Sequence, residues 1–154
     1  MRVGIHANKV DQSTSKVADA LRPALDTVSE RLSADYGGVM ENLWIDLELI
    51  EAHAKPDGTP RHSFRFQKRV SGRSHFGLPP APDSLNVGHF SVRPDFEQIR
   101  SLPADQAIVY ALSLIYRSTE VLHAKSKRLG GFNADKFRLR FRDICESMGY
   151  RCEA

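Results

Sequence analysis

The chain has 154 residues, 41% hydrophobic and 27% charged, which fits one globular domain with a conventional core and excludes a disordered segment. Its net charge of +3, with a pI near 9.0, is too mild and too segregated to signal nucleic acid by itself. No apolar run approaches the ~20 residues of a membrane-spanning helix, and residues 1–6 lack the apolar core of a signal peptide, so a cytoplasmic protein without membrane contact is expected.

Taken in chain order, Val3, Ile5 and Ala7 alternate with Arg2, Gly4 and His6, a short strand pattern. Val17, Leu21, Ala24, Leu25, Val28 and Leu32 then recur at helical spacing, which predicts an amphipathic helix over 15–35. Pro23 inside it should kink the helix or mark its true first turn, and Gly37-Gly38 should end it.

Residues 43–51 read as a second strand, with Ile45, Leu47 and Leu49 on one face and Trp44, Asp46 and Glu48 on the other. A turn follows at 55–60, where Pro56 precedes Asp57-Gly58. Residues 63–70 form a third strand, setting Phe64 and Phe66 against Arg65, Gln67 and Arg69. Antiparallel pairing of these two strands would bury their apolar faces together and place Asp46 and Glu48 across from Arg65 and Arg69. The charges favour that pairing: residues 35–54 hold five acids and no Lys or Arg, whereas 55–75 hold six bases and Asp57 alone.

Residues 71–84 are Gly- and Pro-rich and read as a long irregular loop. A fourth strand is predicted over 87–93, with Phe90 and Val92 inward and His89, Ser91 and Arg93 outward. Phe96, Ile99 and Leu102 suggest a short helix, after which Pro103 opens a long one over 104–129 with a stripe of Ile108, Ala111, Leu112, Ile115 and Leu122. Gly130-Gly131 should stop it. Residues 137–142 alternate like a strand, but Asn133 as a cap and the spacing of Phe137, Phe141, Ile144 and Met148 favour a helix.

The expected architecture is therefore α+β: one domain, 1–154, with a mostly antiparallel sheet of about four strands packed against three to four helices. Such a sheet leaves one face open. Trp44, Asp46, Glu48, Arg65, Arg69, His89 and Arg93 would line it as a partner-binding surface, with Trp44 as its anchor.

Chemistry is less well marked. His62, His75 and His89 with Asp46 and Glu48 offer the groups for acid–base work in a small hydrolase, yet no spacing fixes their geometry. No metal motif is present, and neither metal nor cofactor is expected. Cys145 and Cys152, both in the last ten residues, are expected as free thiols in a reducing compartment. The basic residues of 61–73 and 125–142, interleaved with Phe137 and Phe141, give the alternative of a nucleic-acid-binding module. Glu120, Asp135, Asp143 and Glu146 dilute that field and argue against nucleic acid as the partner.

A small α/β domain carrying Trp44-Ile45-Asp46-Leu47-Glu48 with Ser63-Phe64-Arg65-Phe66, followed by the segment from Asn86 to Asp95, resembles the immunity proteins of bacterial polymorphic toxin systems, including contact-dependent growth inhibition. The resemblance is one of overall character along the whole chain. It implies no catalysis and a tight complex with a cognate toxin domain, usually a nuclease. Many such proteins are acidic, and this one is basic. Either the acidic segment 41–51 makes the contact, or the toxin presents an acidic surface.

Overall fold

Six of the seven residues of the strand Leu43–Leu49 are buried, polar and apolar alike, the signature of a strand covered on both faces in the middle of a sheet. The computed structural model describes residues 2–7, 12–35, 43–50, 57, 59–69, 85–129 and 133–152. In chain order the elements are β1 (Arg2–Ala7), α1 (Gln12–Asp35), β2 (Leu43–Leu49), β3 (Arg61–Arg69), β4 (Leu85–Arg93), α2 (Phe96–Ser101), α3 (Ala104–Ser118), a 3₁₀ helix (Thr119–Leu129) and α4 (Ala134–Ser147). The fold is α+β, with a four-stranded sheet and four α-helices among the described residues.

Pairing within the sheet departs from the expected arrangement. The strand order is β1-β2-β4-β3, so β4 separates β2 from β3. Both β1–β2 and β2–β4 are parallel, and only β3–β4 is antiparallel. The sheet is thus mixed rather than mostly antiparallel, and the antiparallel neighbours are β3 and β4. Alternation identifies a strand but says nothing of its neighbour. The predicted turn at 55–60 therefore does not join paired strands, although Asp57 accepts the Thr59 N–H at 3.0 Å in a local Asx turn. The predicted loop 71–84 and both predicted Gly-Gly helix stops lie outside the described residues.

The apolar face of the sheet carries Val3, Ile45, Leu47, Phe90 and Val92, which form one core with the helices. Ala18, Leu21, Ala24, Leu25, Val28 and Leu32 are the buried stripe of α1. Its Ser29 hydroxyl accepts the Val3 N–H of β1 at 3.1 Å, tying helix to edge strand. Pro23 lies eleven residues inside α1, not at its start, and is exposed. Asp19, whose carbonyl loses its helical donor to the proline, is exposed too, so water can serve it. Thr27 donates its hydroxyl to the Pro23 carbonyl at 3.0 Å.

The long helix expected over 104–129 divides at Thr119. There the threonine hydroxyl donates to the Tyr116 carbonyl at 2.7 Å, an alternative partner for the backbone, and the chain continues as a 3₁₀ helix. Residues 137–142 are helical, within α4. Asn133 caps that helix by accepting the Lys136 N–H at 2.9 Å, and Phe137 and Phe141 are fully buried. Phe141 stacks on Tyr116, whose ring also carries the Arg138 guanidinium 4.7 Å above it. Replacing Phe141 by Ala should cost about 3–5 kcal/mol, and Asn133 by Ala about 1 kcal/mol. Both should appear as a lower urea midpoint with an unchanged slope.

Candidate functional site

The polar face of the sheet is built where β2 and β4 run side by side. Register pairs Trp44 with His89 and Asp46 with Ser91, and places Arg93 one step beyond Val92, toward Glu48. Two side-chain pairs cross this seam. Nε2 of His89 lies 2.7 Å from Oδ2 of Asp46. Arg93 donates through Nε to Glu48 Oε1 at 2.8 Å and through Nη2 to Oε2 at 3.2 Å, the two-pronged geometry that suits guanidinium to carboxylate. The Trp44 ring meets His89 edge-on, with centroids 6.5 Å apart.

This face is covered, not open. Trp44 is 2% exposed, Glu48 5% and His89 6%, so Trp44 is a core ring rather than an interface anchor. Asp46 and Glu48 are partnered by β4, not by Arg65 and Arg69 of β3 as the charge blocks suggested. Arg65 stands opposite His89, and Arg69 opposite Leu85, at the outer edge of the sheet. Of the seven predicted contact residues, five therefore gather on the β2–β4 seam and two lie on the edge strand. Ser91, buried at the centre of the seam, belongs with the five.

The acid–base groups are similarly rearranged. His89 and Asp46 form the orienting half of a catalytic base, but the burial of His89 leaves little of its ring for a substrate. His62 is separated from them, packing its ring against Phe90 with centroids 5.7 Å apart on the other face. His75 lies outside the described residues. Among the described residues no group of three His, Cys, Asp or Glu side chains is placed to hold a metal ion, and no helix is long and apolar enough to cross a membrane. In α4, Phe137 and Phe141 point into the core, so neither ring can stack on a base.

A second concavity escaped sequence reasoning because its walls come from distant parts of the chain. It is a cleft of about 520 Å³ along α3, lined by Asp105, Tyr110 and Arg117 on the helix and by Pro60, Leu102 and Tyr150 opposite. The Tyr110 oxygen accepts the Asp95 N–H at 3.0 Å, and burial pushes the phenol above its ordinary pKa. No protein-family model, curated protein or solved structure matches the chain.

The seam makes a stability prediction. Replacing Arg93 by Leu removes the two-pronged guanidinium from the buried Glu48 carboxylate and should cost about 3 kcal/mol, whereas the double replacement of Glu48 and Arg93 by Leu should recover most of that loss. Urea denaturation of the two single variants and the double variant measures the coupling.

Proposed function

We propose that the chain is an immunity protein, without catalysis of its own, that binds and neutralises a cognate toxin domain through the basic edge of its sheet. The observation that carries this reading is the internal pairing of Asp46 and Glu48 with His89 and Arg93. A carboxylate already held by a side chain of the adjacent strand offers little to a partner, because engaging it means giving up that bond. Asp46 and Glu48 are thereby engaged within the fold. β3, by contrast, carries Arg61, Arg65, Lys68 and Arg69 with no acid, and its His62 and Ser63 are exposed.

An edge strand with this charge repels copies of itself and invites an acidic surface. Of the two alternatives left by the basic character of the chain, this favours a toxin that presents acid. The same residues could also attract a phosphate backbone, so the experiment must separate protein from nucleic acid. A pull-down of the tagged protein from its native cells, with and without nuclease treatment, does so when read by mass spectrometry. A stoichiometric protein partner that survives nuclease is the expected result. Loss of all bound material on nuclease treatment would replace the proposal with a nucleic-acid module showing steep salt dependence.

With the partner in hand, the double replacement Arg65→Glu and Arg69→Glu should weaken the complex at least about tenfold, roughly 1.4 kcal/mol, and should act mainly on the association rate. An unchanged dissociation constant would remove β3 from the interface.

A further inference from the structure

The chain leaves α4 through a glycine that needs its freedom. Gly149 has φ 86, in the left-handed region, and donates its N–H to the Glu146 carbonyl at 3.0 Å. The Tyr150 N–H donates to the Cys145 carbonyl at 2.9 Å. Together these bonds make a Schellman turn, which reverses the chain at the end of a helix. The reversal carries Cys152 back onto Cys145. Both are free thiols in the same core, Cys145 fully buried and Cys152 8% exposed, and their sulfurs lie within hydrogen-bonding reach of each other.

We propose that Cys145 and Cys152 form a redox-active dithiol pair, a modification site at which a small peroxide closes an intramolecular disulfide. Sulfurs brought together by a turn can bond without refolding the chain. The two thiols also differ in the way such a pair needs. Accepting a hydrogen bond from Cys145 lowers the Cys152 pKa, with the nearby Arg142 charge acting in the same direction. Cys145, which donates that bond and is desolvated, is pushed up.

Cys152, the more exposed of the two, is the attacking sulfur. Its thiolate displaces hydroxide from the peroxide, the O–O bond breaks, and a sulfenic acid and one water result. The Cys145 sulfur then attacks the Cys152 sulfur, the S–O bond breaks, and a second water leaves with the Cys145 proton. Two electrons pass from the two sulfurs to the peroxide. Gly149 and Tyr150 between the cysteines line the cleft along α3, so the new bond would restrain one of its walls.

The test uses the full chain under native conditions. Hydrogen peroxide should lower the mass by two hydrogens, and dithiothreitol should restore it. Trypsin cuts after Arg142 and Arg151, so the peptides 143–151 and 152–154 should run as one species until reduced. The oxidised protein should melt about 5 °C higher, as expected for closing a short ring in a chain of this size. In Cys145→Ser, dimedone should trap a sulfenic acid on Cys152. An unchanged mass, with both thiols still alkylated after unfolding, would overturn the proposal, as would a disulfide formed only between chains. A Cys145→Ser protein with no dimedone adduct would overturn the order of attack.

Discussion

The arrangement of the sheet turns on the need to neutralise two carboxylates on a strand that is buried on both faces. β2 lies between β1 and β4, and on its polar face Glu48 is buried and Asp46 only partly exposed, so neither turns freely to water as outward residues of a one-sided sheet would. Each takes a side-chain partner from the adjacent strand, where β4 supplies His89 to Asp46 and Arg93 to Glu48. β3 has more positive charge, yet it is not the neighbour. A strand in the second central position must itself be buried, and β4 carries one obligatory charge, Arg93, at its last residue. β3 carries four, and no arrangement of this sheet has four carboxylates to meet them. The dense positive strand is forced outward and the sparse one inward. Local charge balance misleads here because desolvation decides before attraction does.

The same reasoning explains which parts of the fold were legible in the residues. Helical stripes were legible because burial requires a fixed spacing: every predicted stripe residue of α1 from Leu21 to Leu32 is buried, as are Ile108, Ala111, Leu112 and Ile115 in α3. Residues 137–142 could be resolved as helix despite their alternation, since the Asn133 cap and the spacing of Phe137 and Phe141 both refer to the same helix. Strand existence was legible for the same reason, at period two. Strand order was not. It depends on which strand can afford to lose water, a comparison between whole segments rather than a pattern within one.

The candidate site shows the limit more sharply. Its residues were identified as a polar set, but polarity was taken for exposure. Trp44 within that set was the contrary signal: a ring of that size on the same face as Asp46 and Glu48 must be covered, and a cover over the ring is a cover over the carboxylates. The Thr119 break in the long helix had a comparable signal. Its hydroxyl competes for the backbone in the manner usual for threonine, at a point where Ser118 offers little helix preference to resist it. The cleft along α3 had none, being assembled from Pro60, Leu102 and Tyr150 across the whole length of the chain.

These constraints separate the molecule into two regions with different tasks. The β2–β4 seam, with its charges matched and its ring packed, is committed to holding the sheet. Such seams resist change because every member would leave a partner exposed to a dry environment. Variation is cheaper at the periphery, where β3 ends the sheet and where the Schellman turn brings the last described residues back to α4. At the edge, Arg61 pairs in register with Arg93, a like-charge pairing that the Glu48 fork on Arg93 offsets. The seam therefore does more than stabilise β4. By neutralising Arg93, it lessens the like-charge cost of pairing β4 with a strand as basic as β3.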